Sequence, residues 1–171
     1  SMMKINEKLD EGPVCDKYSL KISENINLEE LSEKLSLLAS EKILDVLDNI
    51  HEGRIQFKDQ DHSKATYAKK IQKNEGKINW DENADKIIGK INGLYPYPGA
   101  FFLFNGERYK ILKAEKSFTK GEPGNVISED FEICCRDGSI KVLIIQREGK
   151  RVQKINEFLL GSQIKKGFKI D

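Results

Sequence analysis

Cysteine is scarce in this sequence of 171 residues: there are three, and two of them, Cys134 and Cys135, are adjacent. An odd count with one vicinal pair makes no disulfide framework and has no zinc spacing, so buried, reduced thiols are expected. Long apolar runs are missing too. No stretch approaches the roughly 18 apolar residues of a membrane span. No basic segment leads into an apolar one as in a secretory signal. The two histidines, His51 and His62, have no companion at ligand spacing, and no metal is expected. Glycine-rich phosphate loops, serine elbows, repeats and low-complexity tracts are also absent. What is present is a globular composition, 33% charged with 38% in the set AVILMFWYC, which supports a core and excludes disorder or collagen.

The net charge of +1 conceals an uneven distribution. Residues 1–52 carry 6 basic and 12 acidic side chains, a net of −6, whereas residues 53–171 carry 23 and 16, a net of +7. Such asymmetry points to an anionic partner for the basic part.

The hydropathy pattern changes along the chain. Asp10-Glu11-Gly12-Pro13 reads as a turn, and Val14 to Ile22 alternates as a strand would. Asn27 and Glu30 have the spacing of a capping box. Leu28, Leu31, Leu35, Leu38, Ile43, Leu47 and Ile50 then form one stripe of an amphipathic helix, with Gly53 as its stop. The residues before it are too few to supply the surface this stripe needs. A cut end at Ser1, which precedes Met2 and Met3, is therefore expected, and with it an exposed stripe. Residues 54–82 are polar and aperiodic and read as a linker. Ala84, Ile87, Ile88 and Ile91 mark a short helix. From residue 99 the pattern is β: Asn105-Gly106 signals a type I′ hairpin and Asp137-Gly138 a second one. A short helix over Ile155–Leu160 and a last edge strand at Phe168–Ile170 follow, which together suggest a small barrel.

Asp10 is the only acid in a setting suited to catalysis, on a glycine-containing turn between two candidate strands. The same turn chemistry is also common without any function. Lys64, Lys69, Lys70, Lys73 and Lys77, interleaved with Tyr67 and Trp80, would track a nucleic-acid backbone. A solvated linker is the alternative. A second basic run centres on Lys150 and Arg151. Residues 138–171 carry 8 basic and 3 acidic side chains.

Several of these stretches resemble the methionyl-tRNA formyltransferase family. Lys8-Leu9-Asp10-Glu11-Gly12-Pro13-Val14 is similar to its active-site aspartate segment. The run from Thr66 to Trp80 resembles its interdomain signature. Tyr95-Pro96-Tyr97-Pro98-Gly99-Ala100-Phe101 resembles the next signature, in which Trp is more usual at Tyr97. Gln146 to Arg151, followed by Glu157-Phe158-Leu159-Leu160-Gly161, resembles the last. The resemblance covers essentially the whole chain.

The resemblance implies an α+β chain: the truncated end of an α/β Rossmann-like formyltransferase domain (1–53), a linker (54–82) and an OB-like open β-barrel (83–171). It implies formyl transfer from 10-formyltetrahydrofolate to the methionyl amino group of initiator tRNA in the cytoplasm, by a monomer without metal. Asp10 would be catalytic, orienting a histidine. Leu9, Asp10 and Gly12 would lie at the folate, and Lys69, Lys70, Lys73, Lys150 and Arg151 would hold tRNA. The family's catalytic Asn and His belong to an N-x-H-x-S motif that does not occur here. Catalysis by this chain alone is therefore not expected. Two alternatives stay open: another folate-dependent formyltransferase, such as one acting on sugar nucleotides, and a non-catalytic nucleic-acid-binding barrel.

Overall fold

The computed structural model describes residues 1–171. The chain divides into two compact units: Ser1–Glu24 with Glu30–Lys70, and Asn25–Glu29 with Ile71–Asp171.

In the first unit, β1 (Met2–Met3) pairs antiparallel with β2 (Val14–Asp16). The alternation that suggested a strand up to Ile22 survives only to Asp16. Tyr18 turns back instead and donates its hydroxyl to Asp16 Oδ2 at 2.7 Å. That bond is the main cause of a tyrosine pKa pushed up to about 12. Helix α1 (Leu28–His51) follows. It ends as a glycine stop should. Gly53, at φ 71°, donates to Ile50 O and Arg54 donates to Asn49 O, which satisfies the last carbonyls. Of the apolar stripe, Leu35 and Leu47 are about half exposed, as expected, while Leu31 and Leu38 are more covered; the one buried residue of the helix, Val46, lies outside the stripe.

The second unit is a curled antiparallel sheet around an apolar centre. Asn83 caps α2 (Ala84–Gly93) by accepting from Lys86 N, and Ala84, Ile87 and Ile91 turn inward. Strands β3 (Ala100–Phe104) and β4 (Glu107–Ser117) join through Asn105 (φ 51°) and Gly106 (φ 77°), the two positive angles of a type I′ turn. Strand β6 (Ser139–Arg147) pairs with β4 and β5 (Glu132–Cys134), and β7 (Gln153–Lys154), not anticipated from sequence, adds to β6. Strand β5 is short. Arg136 N leaves the ladder to donate to Trp80 O and Glu82 O, and Asp137 accepts from Ala84 N. Helix α3 (Ile155–Gly161) lies against the sheet through Phe158.

Along β4 the inward residues run Tyr109, Ile111, Ala114, so the period of two slips once. The register shift between Ile111 and Ala114 is the bulge that produces the slip and curls the sheet. Phe168–Ile170 is not an edge. Val126 N donates to Phe168 O, Ile170 N to Gly124 O, and Leu103 and Asp171 exchange two backbone bonds. These short segments span the gap between β3 and β5, consistent with an OB-like barrel. Inside, Phe102 stacks on its cross-strand partner Tyr109 at 5.3 Å between centroids, and Phe131, Phe158 and Trp80 complete the aromatic centre. Ile78 and Trp80, read from sequence as linker, are core residues of this unit, so Trp80 offers no face to a nucleic-acid base.

Candidate functional site: an aspartate turn and a basic barrel face

The turn carrying Asp10 is built by the first unit alone. Lys4 N donates to Pro13 O at 3.0 Å, and Val14 and Lys58 exchange two backbone bonds. Gln60 Nε2 donates to the carbonyls of both Asp10 (2.8 Å) and Gly12 (2.7 Å) and so ties the turn from its inner side. Asp10 has φ 56°, a left-handed conformation that Asp tolerates better than most residues. Its side chain and that of Leu9, 89% exposed, face solvent. Gly12 is buried against the Lys4 carbonyl. The exposed pair is open to a ligand, whereas Gly12 shapes the turn through its backbone. No histidine is hydrogen-bonded to the Asp10 carboxylate.

The lysines expected to share a helical face do not form one. Residues 65–72 are irregular, and Lys73 begins a 3₁₀ turn, Lys73–Gly76. Lys69 and Lys70 are exposed and belong to the first unit, while Lys73 belongs to the second. Tyr67 is 90% exposed.

On the second unit the structure assembles a cleft of about 240 Å³ from Lys73, Tyr97, Pro98, Arg108, Lys110, Gln146, Glu148 and Gly149. Arg108 and Lys110 were not singled out from sequence. Their i, i+2 spacing on β4, beside the inward-facing Tyr109, was the available signal, since alternate strand residues share a face. Arg108 lies over Phe101, its guanidinium carbon 4.1 Å from the ring centroid. Lys110 Nζ is 5.9 Å from the Tyr97 ring centroid. Gly99, at φ 83°, leaves space for the Lys110 stem, which a Cβ there would meet at 3.0 Å.

Lys150 and Arg151 line a wider groove of about 640 Å³ with Glu107, Tyr109, Arg147 and Glu157. Two acids already occupy cations in it. Arg147 bonds Glu107, and Arg151 approaches Glu157 at 3.7 Å. The Arg147 hydrogen bond, followed by that from the Tyr109 hydroxyl at 2.9 Å, holds the Glu107 carboxyl below the usual carboxylate range. Burial and the same bond raise Tyr109. Cys134 and Cys135 are free and buried, as expected, and burial pushes the Cys135 thiol up to about 12.

Residues 70–163 match the model of the formyl transferase C-terminal domain. The chain belongs to the formyl transferase family. It is 59% identical over 171 residues to a methionyl-tRNA formyltransferase of Pelagibacter ubique, a match that covers 99% of this chain and 55% of that relative. A methionyl-tRNA formyltransferase of Thermodesulfovibrio yellowstonii is 37% identical, with 96% and 54% covered. The chain thus spans about half the length of the curated relatives it matches. Among solved structures, HypX from Aquifex aeolicus in complex with tetrahydrofolic acid has the same fold over 94% of this chain and 30% of its own (TM-score 0.67, 18% identity). An N-formyltransferase of Helicobacter canadensis, in complex with folinic acid and dTDP-3-aminofucose, does so over 85% and 54% (TM-score 0.64, 20% identity). No helix is long and apolar enough to cross a membrane.

Proposed function

We propose that this chain forms the C-terminal part of a methionyl-tRNA formyltransferase, a cytoplasmic, monomeric enzyme of translation initiation. In this reading residues 1–53 end its Rossmann-like catalytic domain, residues 54–82 connect, and residues 83–171 form the OB-like barrel, whose core reaches back to Ile78. The observation that carries the reading is 59% identity to such an enzyme over 99% of the chain.

The reaction is acyl transfer. The methionyl α-amino nitrogen attacks the formyl carbon of 10-formyltetrahydrofolate, an oxyanion develops, and the bond to the folate nitrogen then breaks. Donors aimed at that oxyanion lower the barrier. By resemblance they are an Asn and a His supplied by the other part of the enzyme. Asp10 orients that His and helps the proton move. Leu9 and Asp10, exposed on their turn, would form one edge of the folate site, with Gly12 setting the backbone behind them. Lys69, Lys70, Lys73, Lys150 and Arg151 would contact phosphates of initiator methionyl-tRNA, which positions the acceptor end rather than reading sequence.

The sugar-nucleotide reading shares the fold. A surface with unpaired cations, such as Lys73 and Lys110, favours a polyanion over a small sugar nucleotide. The test is a chimera in which this chain replaces the matching segment of the Pelagibacter ubique relative. Formylation of initiator methionyl-tRNA by the chimera, and none by the 171-residue chain alone, is expected. A chimera that folds, binds folate and leaves methionyl-tRNA unformylated would overturn the reading.

A further inference from the structure

We propose that the cleft beside the 95–99 turn holds one unpaired RNA nucleotide, its phosphate among Lys73, Arg108 and Lys110 and its base on the face of Tyr97. The inference rests on the tRNA reading above and assigns to that RNA a contact of a kind not implied by phosphate binding alone.

Three cations line this cleft with one acid, Glu148, and none of the ion pairs in the structure engages Lys73, Arg108 or Lys110. Like charges outnumbering their counter-charge repel one another, and an anion between them relieves the repulsion. Arg108 is prepared for that role. Its guanidinium carbon sits 4.1 Å from the centre of the Phe101 ring, and its Nε is buried without any hydrogen-bond partner. A planar fork held in place loses little freedom on meeting a phosphate. Lys73 is brought to the cleft by Gly76. A Cβ there would collide with the Gly99 carbonyl, so only glycine lets the 3₁₀ turn seat against the 95–99 turn.

Tyr97 makes the cleft a nucleotide site rather than a simple anion site. Tyr97 is 66% exposed, beside the cations, with Lys110 already within cation–π range of its ring. Aromatic faces adjoining a basic track stack successive bases of single strands. A duplex cannot use such a platform, because its base faces are already stacked inside the helix. A concave opening of about 240 Å³ suits a single splayed nucleotide, not a helical groove. The groove at Lys150 and Arg151 lacks this arrangement, since Glu107 and Glu157 already engage two of its cations.

The test uses the 171-residue chain and fluorescence anisotropy with an end-labelled single-stranded RNA hexamer, a blunt RNA duplex and whole initiator tRNA. The hexamer should bind more tightly than the duplex. Tyr97→Ala should weaken hexamer binding about tenfold, with Tyr97→Phe near the parent, because the ring face and not the hydroxyl carries the contact. Lys110→Ala should lower the slope of log affinity against log salt by about 0.7 for the single strand. Unchanged emission from Trp80, the single tryptophan, verifies that each variant is folded. Parent-like hexamer affinity in both Tyr97→Ala and Lys110→Ala, or equal binding of hexamer and duplex, overturns the proposal. If tRNA still binds in that case, the tRNA reading stands without the cleft; if no RNA binds, both fall.

Discussion

The backbone carbonyl of Lys4 occupies the place where any side chain at Gly12 would begin. Backbone cannot yield as a flexible side chain can, so Gly12→Ala should force the β1–β2 turn apart at a cost of about 1–3 kcal/mol. The damage should be local. Hydrogen exchange should show loss of protection at the Lys4 and Val14 amides, which bond Pro13 O and Lys58 O, while the Ile111 and Ile145 amides of the barrel stay protected.

The left-handed backbone of Asp10 makes Asp10→Asn a clean chemical test, because Asn adopts that conformation as readily as Asp. In the chimeric enzyme, turnover should fall by about 10²–10⁴ with little change in stability, since the carboxylate that orients the histidine is lost. Single-turnover formylation measures the first and thermal unfolding the second. Near-normal turnover would remove Asp10 from the reaction.

The buried Cys135 thiol predicts a pH dependence with a definite sign. Its folded-state value is raised from the ordinary 9.0 to about 12, so the stability it contributes is fully present below pH 9 and is lost as pH rises toward 12. Within that window the slope from this one group approaches about 1.4 kcal/mol per pH unit. Urea unfolding followed by Trp80 emission between pH 8 and 11 should therefore fall less steeply in Cys135→Ala than in the parent. Parallel slopes would show that the thiol is not what titrates.

Lys150 makes no ion pair within 4 Å and acts on Glu107 only through its field, whereas Arg151 lies 3.7 Å from Glu157. If both lie along RNA, Lys150→Ala should lower the salt slope of tRNA binding by about 0.9, and Arg151→Ala by less, because an engaged cation has fewer counter-ions to release. Equal, unaltered slopes in both variants would make them ordinary solvated surface.

The helices and both hairpins were legible in the sequence because periodicity and the Asn105-Gly106 turn are local signals. Gly53 as the stop of α1 was equally plain. Three things were not. Trp80 reads as a linker residue because its neighbours are polar, and only its long-range partners Phe102 and Gly124 reveal it as core. Phe168–Ile170 reads as an edge because nothing in the sequence names Gly124 and Leu103 as its partners. Arg108 and Lys110 look like ordinary outward strand residues, and their meeting with Lys73 and Tyr97 is a property of the folded sheet. Asp10 was singled out as a candidate by its turn, though neither the turn nor the fold supplies it with a histidine.

The ring around the barrel core is completed by residues far apart in sequence: Leu103 with Asp171, Gly124 with Ile170, Val126 with Phe168. The β3–β4 hairpin, by contrast, needs only the chain beside it. Loop-closure entropy penalises distant pairs until nearby ones have formed. The barrel should therefore fold from its hairpins outward and fasten last at 167–171. Substitutions at Phe168 or Ile170 should accordingly speed unfolding far more than they slow folding, so the fastening segment governs the lifetime of the barrel rather than the rate at which it appears.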